Sequence, residues 1–302
     1  MPHSTCIRIA GLDFRFSSPA NVLFADLVHP RFLPFRRSEG AAPGGDRLDI
    51  HVHPVEDGRD VPAGFQHVVT TDLQSQIHRD GRTFLIRKFD VQPSRTSLAW
   101  ATRYDSEKET VDTGVWIRRG SGPSRVLPEL GRYPHYQFLL TGYLSRRHGA
   151  LHHCAGAIYK GKMFLFPARS GTGKSTLSRL LAASGTFDVV GDDTIVTRRM
   201  GRDWMAFGTP WPSSAGFSGN HSAPLGGVFF LHQSPINRVE DIPAQDALRR
   251  FLPETDIPWY DPVFTEGLLA HCEDLVKSVP TRALHFRPDA SAVDCLVEAL
   301  EC

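Results

Sequence analysis

The chain has 302 residues, 41% of them hydrophobic, and its 34 Lys and Arg residues nearly balance its 33 Asp and Glu residues. A chain of this length can form one large domain or two ordinary ones, while the charge balance argues against a general attraction to nucleic acid or to an anionic membrane. The N-terminus lacks a basic region followed by an apolar core, and no apolar run approaches the ~20 residues of a bilayer crossing. We therefore expect a soluble, cytoplasmic protein that binds neither nucleic acid nor membranes.

The cysteines are odd in number and form no C-x-x-C pair, a pattern typical of neither a disulfide framework nor a zinc site. We expect reduced thiols. The fourteen histidines are scattered and lack the helical spacing of a zinc-protease motif, so a metal site built from histidines alone is not predicted. The cysteines are Cys6, Cys154, Cys272, Cys295 and Cys302.

Residues 1–130 are predicted to form a β-rich N-terminal domain, because apolar residues alternate between turn signals. One hairpin is expected over 67–89, with Asp80-Gly81 at its turn, and another over 97–117. The stretch 36–47 has the Gly and Pro content of a loop. A role in recognising the acceptor or another partner is inferred for this domain only from its position beside the second half.

The period of the apolar residues changes over 133–148, where they recur on one face of a helix. Pro134 suits the first turn of such a helix, and Gly149 suits the position just past its end. We group this linking helix with the second domain, residues 131–302.

The second domain begins with alternating strands and helices. Strands are predicted at 155–159 and 163–166 around the turn Lys160-Gly161, followed by a loop, a helix at 174–184 and a strand at 187–190. Further strands are predicted at 194–199, 204–208 and 225–231, and further helices at 244–252, 263–278 and 289–300, the last of them capped by Asp289. This order predicts an α/β core with helices packed against its sheet.

Residues 168–175, ARSGTGKS, match the phosphate-loop pattern G-x-x-x-x-G-K-[ST] except at the first place, where Ala168 replaces Gly. Such a loop binds a polyphosphate by turning backbone N–H groups inward at the start of a helix, which requires glycines for close approach. Lys174 can reach the β- and γ-phosphates, and the Ser175 hydroxyl can coordinate Mg²⁺. The residues predicted to bind ATP are Ser170, Gly171, Thr172, Gly173, Lys174, Ser175 and Thr176.

Two adjacent acids, Asp192 and Asp193, follow the apolar strand at 187–190. Carboxylates at the carboxyl end of a strand beside a phosphate loop are typical of a magnesium site. We predict Asp192 as the metal ligand and Asp193 as the base that accepts the proton of an attacking hydroxyl. The alternative is that Gly191-Asp192-Asp193 is only a solvated turn.

These motifs resemble the HPr serine kinase family, in which a His stands fifteen residues before the phosphate loop and an Asp-Asp pair follows an apolar strand. Here His153 lies fifteen residues before Ala168. The resemblance covers about residues 150 to 290 and implies a phosphate-loop core of the HPr kinase and phosphoenolpyruvate carboxykinase type. It also implies catalytic roles for His153 and Asp193, although a His beside a strand can equally be structural.

The chain departs from that family at two points. Thr176 stands where HPr kinases have Glu, and their glycine-rich signature after the Asp pair is absent from this sequence. The stretches 208–211 and 223–231 look instead like those of divergent HPr-kinase-like proteins encoded beside biosynthetic clusters, some of which phosphorylate a serine of a peptide precursor, such as a lasso peptide. The resemblance therefore implies a peptide or small-protein acceptor other than HPr.

Phosphoryl transfer also requires a cation near the γ-phosphate. Arg169, Arg238 and the pair Arg249-Arg250 are candidates, and Arg238 is the one we select as catalytic, although exposed arginines are common and the alternative for each is a surface charge. Thr209, Trp211 and the Gly- and Ser-rich stretch 213–222 could shape an acceptor groove, as lids often do. The alternative places Trp211 in the core beside an ordinary surface loop.

The sequence thus predicts a serine kinase-like phosphotransferase that uses ATP and Mg²⁺. Its acceptor is a serine of a peptide or small protein, and a small metabolite is the less favoured acceptor. Two alternatives stay open: a nucleotide-binding regulatory module, and an ATPase without a hydroxyl acceptor. The sequence also leaves open whether the chain forms a homo-oligomer.

Overall fold

The computed structural model describes residues 3–18, 30–37, 46–55, 61–71, 74–92, 95–116 and 135–301. These residues form a mixed α/β structure with two large sheets and five α-helices. The chain divides into two compact units, 1–143 and 144–302. The contacts group the linking helix with the first unit, whereas the sequence analysis grouped it with the second, and the predicted boundary at residue 130 lies outside the described residues.

The first unit contains an eight-stranded sheet in the order β1-β2-β3-β8-β7-β6-β5-β4. Both predicted hairpins are confirmed, since β5 pairs antiparallel with β6 and β7 with β8. The turn at Gly81 has φ +56°, which a residue without Cβ adopts most easily. Most of the predicted loop at 36–47 lies outside the described residues. The strands are β1 (His3–Ile9), β2 (Leu12–Ser18), β3 (Arg47–Val55), β4 (Gln66–Thr71), β5 (Ser75–Asp80), β6 (Thr83–Gln92), β7 (Arg95–Asp105) and β8 (Thr110–Trp116), with a 3-10 helix at Pro30–Phe35.

Helix α1 (His135–Leu144) corresponds to the helix predicted over 133–148. The ring of Phe138 packs edge-on against Phe84, and the His135 ring lies 2.7 Å from the hydroxyl of Thr102. These contacts hold α1 against the first sheet. Pro134, predicted to start the helix, lies outside the described residues.

The second unit contains the site. Its turn at Lys160-Gly161 has positive φ at both residues, +46° and +77°, as two-residue hairpin turns require. Two strands of this unit, β15 and β16, were not predicted, because they are short and their apolar residues do not alternate strictly with polar ones. The strands are β9 (Gly149–Tyr159), β10 (Lys162–Pro167), β11 (Asp188–Gly191), β12 (Thr194–Met200), β13 (Asp203–Gly208), β14 (Ser222–Gln233), β15 (Arg238–Asp241) and β16 (Thr281–Phe286). The helices are α2 (Lys174–Ala183), α3 (Ala244–Phe251), α4 (Pro262–Ser278) and α5 (Ser291–Glu301).

Strands β10, β14 and β16 are parallel neighbours, so their carboxyl ends meet at one edge of the sheet. Strand β9 pairs antiparallel with β12 through residues 149–153 and with β10 through residues 154–159, which brings the start of β12 next to the end of β10 at the same edge. Loops that follow parallel strands at such an edge are where α/β proteins place ligands.

Two apolar layers cover the two faces of this sheet. Alternate residues of β10, Phe164 and Phe166, pack with α2 and α5, while Met163 and Leu165 pack with α3 and α4. The buried, apolar β14 connects both layers, as a strand covered on both faces does. None of the helices in the described part of the chain is both long and apolar enough to cross a lipid bilayer.

Candidate functional site

The predicted phosphate loop joins β10 to α2, in the strand-loop-helix setting that such a loop requires. Gly171 and Gly173 have φ +83° and +112°, a region that residues with a Cβ rarely adopt. No side chain caps the first turn of α2, so its N–H groups and helix dipole face the loop without a competing carboxylate or hydroxyl. This start of a helix is suited to an anion.

Ala168, the departure from the motif, is accounted for by its position. Its φ is negative, so no glycine is needed there. Its side chain is buried in the apolar layer beneath α2, while its carbonyl oxygen accepts a hydrogen bond from the Lys174 ammonium. The extra methyl group therefore packs into the core and leaves the anion-binding part of the loop unchanged.

Lys174 is largely buried at the first position of α2. Burial lowers its pKa, and nearby carboxylates and the Cys154 thiol oppose that effect. With its ammonium held by the loop's own carbonyl, Lys174 is positioned before any ligand arrives.

Ser175 and Asp192, the predicted metal ligands, lie on either side of the Ser213 hydroxyl. Ser213 Oγ lies 3.3 Å from Ser175 Oγ and donates a hydrogen bond of 2.7 Å to Asp192 Oδ2. Asp192 also accepts backbone N–H bonds from Ser213 at 2.9 Å and from Ala215 at 2.8 Å, and its residue is fully buried. The alternative of a solvated turn at Asp192 is thus wrong.

Asp193 points toward His153 across neighbouring strands. Its Oδ1 lies 3.3 Å from His153 Nδ1, and the two side chains are 28% and 44% exposed. Partial burial raises the pKa of Asp193, His153 and Lys174 oppose that rise, and Asp192 adds to it. A carboxylate with a raised pKa, open to one side and held by a histidine, can accept a proton.

Two residues from strands far along the chain complete the loop. Gln233 at the end of β14 donates to Gly171 O at 3.2 Å. The ring of Phe286 at the end of β16 lies so close to Gly173 that a Cβ there would meet it at 2.8 Å. The sequence analysis did not assign Phe286 to the site, and it missed the bridging role of Ser213, for which only the Gly- and Ser-rich stretch 213–222 gave a signal.

Among the described residues, no contact places Arg238, Arg249 or Arg250 at the phosphate loop. Arg238 pairs with Glu240 at 2.5 Å and lies 3.5 Å from the His285 ring, on strand β15. Arg249 pairs with Asp246, and Arg250 lies 2.8 Å from the His232 ring. Arg169 is exposed within the loop.

Thr209 and Trp211 precede the segment that covers Ser175. The Thr209 hydroxyl donates to Thr194 O at 2.8 Å, and Trp211 is buried. Trp211 therefore belongs to the core, the second of the two alternatives, while Ser213 to Ala215 lie against the phosphate loop.

The donor set fits a magnesium nucleotide. Hydroxyl and carboxylate oxygens are the ligands that Mg²⁺ prefers, and Mg²⁺ keeps several water or phosphate oxygens when one or two protein groups bind it. Among the described residues no three His, Cys, Asp or Glu side chains converge on one point. Ser175 and Asp192 would hold the metal, and the backbone of 170–176 would hold the phosphates.

No family model matches the chain, and no curated protein matches it. Among solved structures, the HPr(Ser) kinase/phosphatase from Coxiella burnetii is similar, with a TM-score of 0.29 and 15% identity over 50% of this chain and 95% of that chain. A likeness of this degree points to no more than a distant structural relation.

Proposed function

We propose that the chain transfers the γ-phosphoryl group of ATP to a hydroxyl, namely a serine of a peptide or small protein. The observation that carries the proposal is the pair Asp193 and His153, 3.3 Å apart, placed beside the helix start that bears Lys174. A base oriented by a second group, next to an anion-binding loop, is the arrangement that hydroxyl phosphorylation requires.

Each residue has a separate task in this proposal. Asp193 accepts the proton of the acceptor hydroxyl, and His153 holds the Asp193 carboxylate in place. Lys174 and the N–H groups of the loop offset the negative charge that gathers on the phosphates. Bound Mg-ATP would supply the phosphoryl group and leave as ADP, and Ser175 and Asp192 would be the protein's metal ligands. Arg238 is given no step, because its contacts are with Glu240 and His285.

The direct experiment incubates the purified chain with Mg²⁺, γ-labelled ATP and an array of serine-containing peptides. We expect label on peptide hydroxyls, and Lys174→Ala should weaken nucleotide binding about 10- to 100-fold, the range of a charge-assisted hydrogen bond. Lys162→Ala is the control, since Lys162 is exposed at the start of β10. Unlabelled peptides together with ATP that stays intact would contradict the proposal.

One observation favours a second candidate, a nucleotide-responsive binding module. The segment from Ser213 to Ala215 binds the two predicted metal ligands, so a metal nucleotide would compete with it and release it. Such a module predicts tight nucleotide binding without turnover. Phosphate release to water that no acceptor accelerates would instead favour an ATPase.

A further inference from the structure

A row of basic side chains crosses three neighbouring strands of the second sheet. His232 on β14 pairs with His285 on β16, which in turn pairs with Arg238 on β15. Paired residues of neighbouring strands point to the same face of a sheet. The rings of His232 and His285 accordingly stack, with their centroids 5.0 Å apart. The proposed mechanism uses none of these three side chains.

Helix α3 places a second arginine beside this row. Arg250 Nη1 donates a hydrogen bond of 2.8 Å to His232 Nε2. Among the described residues, Arg250 forms no ion pair with a carboxylate, whereas the preceding Arg249 pairs with Asp246 at 3.3 Å. The charge of Arg250 is therefore not offset by a paired acid.

Glu240 is the acid that lies against the row. One of its carboxylate oxygens pairs with Arg238 at 2.5 Å, and the other lies 3.5 Å from His285 Nε2. The next acid on β15, Asp241, pairs with Arg282 instead. Two guanidinium groups against one carboxylate leave an excess of positive charge even when both imidazoles are neutral. The basic cluster, as we name it, consists of His232, Arg238, Glu240, Arg250 and His285.

The basic cluster lies at the same edge of the sheet as the phosphate loop. Gln233, which follows His232, donates to Gly171 O at 3.2 Å, and Phe286, which follows His285, lies against Gly173. Successive side chains of a strand point to opposite faces, so the cluster and the loop lie on opposite faces of the same strand ends. An extended peptide covers about 3.3 Å per residue, and a few residues are enough to pass from one face to the other.

The surface around the cluster is open. The side chains of Arg238 and Glu240 are 55% and 46% exposed, and Arg250 is exposed as well. Ile236, in the turn between β14 and β15, is 66% exposed. A small metabolite binds best in a concave site that buries most of its surface. An open basic surface beside an exposed apolar side chain is suited instead to a peptide with acidic residues, because guanidinium groups bind carboxylates with strong, charge-assisted hydrogen bonds.

We propose that the basic cluster binds acidic side chains of the acceptor peptide, with Arg250 and His232 as the principal contacts. This inference rests on the proposed function and narrows its acceptor to one class. The acceptor is a peptide that carries Asp or Glu residues a short distance from its serine, with an apolar residue among them that contacts Ile236.

A bound carboxylate changes the protonation of His232. In the free protein, burial lowers the pKa of His232, Arg250 and His285 lower it further, and Glu240 opposes them. A carboxylate beside the ring raises this pKa, so binding takes up a proton. Peptide affinity should therefore rise as the pH falls from 8 to 6, a range in which the acids of the peptide stay ionised.

The first test is direct binding of a serine-free peptide of Glu and Leu residues, compared with its counterpart that has Gln in place of Glu. We expect the acidic peptide to bind more tightly, and more so at pH 6 than at pH 8. Arg250→Gln should weaken its binding about 10-fold, the effect of one charge-assisted hydrogen bond. Arg249→Gln is the matched control, because it removes the same charge from the adjacent, exposed position of α3. Equal affinities of the two variants, or of the two peptides, would overturn the proposal.

A second test locates the bound peptide. In ¹³C-histidine-labelled protein, with His232→Gln to assign the signal, the acidic peptide should raise the titration midpoint of His232. Inorganic phosphate at the same concentration should leave that midpoint unchanged. A midpoint that the peptide does not move, or that phosphate moves equally, would contradict a peptide site at the cluster.

Kinetics separate this proposal from the proposed function. With a serine peptide flanked by Glu, Arg250→Gln should raise KM for the peptide about 10-fold, with kcat and ATP affinity unchanged. With a neutral serine peptide, Arg250→Gln and Arg249→Gln should have equal KM. If the serine-free acidic peptide binds at His232 but no serine is ever labelled, the binding site stands and the proposed function fails. If acidic and neutral peptides are labelled with equal KM, the proposed function stands and the acidic acceptor is wrong.

Discussion

The two faces of strand β9 hold neighbouring histidines in opposite surroundings. His153 lies on the face of the phosphate loop, partly exposed, 3.3 Å from Asp193. His152 lies on the face of α3 and α4, fully buried, with its ring nitrogens 2.7 Å from the Thr197 hydroxyl and 3.0 Å from the Thr255 hydroxyl.

Because successive side chains of a strand point to opposite faces, His152 is buried in the core while His153 lies at the proposed site. The buried face extends through Thr197 to His271, 2.8 Å away, and the ring of Phe251 stacks on His152. This network packs against the strand on one side, while the opposite face presents His153 and Asp193, the pair to which the proposed function assigns proton acceptance. Changes on one face should affect transfer, and changes on the other should affect stability.

The largest effect is expected for Asp193→Asn on the loop face. Loss of the base should lower the rate of phosphoryl transfer about 10²- to 10⁴-fold, with ATP affinity and unfolding free energy close to those of the unaltered chain. Turnover with γ-labelled ATP, nucleotide titration and urea unfolding measure the three quantities.

Asp188→Asn is the matched control, since Asp188 is exposed at the start of β11. If Asp193→Asn leaves the transfer rate unchanged, the assignment of transfer to one face of β9 and of stability to the other is wrong.

The buried face should make stability depend on pH. Burial lowers the pKa of His271 to about 3 and that of His152 well below its usual range, so the folded protein resists protonation that the unfolded chain accepts below about pH 6.5. Stability is therefore full above pH 6.5 and falls as the pH drops, by about 1.4 kcal/mol per pH unit for each histidine.

Urea unfolding between pH 7 and pH 5 tests this expectation. His271→Asn should reduce the slope of unfolding free energy against pH by about 1.4 kcal/mol per pH unit, the contribution of one histidine. If the slope does not change in this variant, His271 is not responsible for the pH dependence of stability.

A smaller effect is expected for Ser213→Ala. Removing the hydroxyl leaves Asp192 Oδ2 with the Ala215 N–H bond alone and opens the space beside Ser175, so Mg²⁺ should bind the nucleotide complex about 2- to 10-fold more tightly, the net range of one hydrogen bond. Titration with Mn²⁺ in the presence of a non-hydrolysable ATP analogue measures it, with Ser218→Ala as control. Weaker metal binding would instead identify Ser213 as a ligand.

The smallest effect is expected for Ala168→Gly, which restores the full motif. Because Ala168 has an ordinary φ and a buried methyl group, the change should leave ATP affinity unaltered. It should cost about 0.5–1 kcal/mol of stability, from chain entropy. Calorimetric binding and thermal unfolding measure the two quantities, and a gain in affinity would show that the methyl group does restrict the loop.

Much of the second unit could be predicted from sequence, because its local signals are strong. Three such signals mark the elements that meet at one edge of the second sheet. They are the glycines of the turn and the loop, the lysine at the start of α2, and the strand that ends in two acids. The helices α3, α4 and α5 were likewise predicted from sequence, the last with Asp289 as its cap, whose carboxylate accepts from Ser291 N at 3.0 Å.

The remaining features depend on long-range packing, which local patterns do not encode. Ser213 and Phe286 reach the site through loop closure and strand packing across tens of residues. The segment at 213–215 binds Asp192, whereas Asp193 contacts His153, and this difference supports the separate roles proposed for the two acids. Arg238 was predicted from its residue type as a catalytic cation, but on strand β15 it contacts Glu240 and His285 instead.

The ring of Phe286 against Gly173 also bears on how the protein is made. Synthesis releases the lysine-bearing helix more than a hundred residues before the strand that supports it. Since chains fold from the N-terminus as they emerge, a ribosome-bound fragment ending short of that strand would carry an intact motif on an unsupported loop. Competence for nucleotide should therefore arise late, once the strand that bears Phe286 has left the exit tunnel.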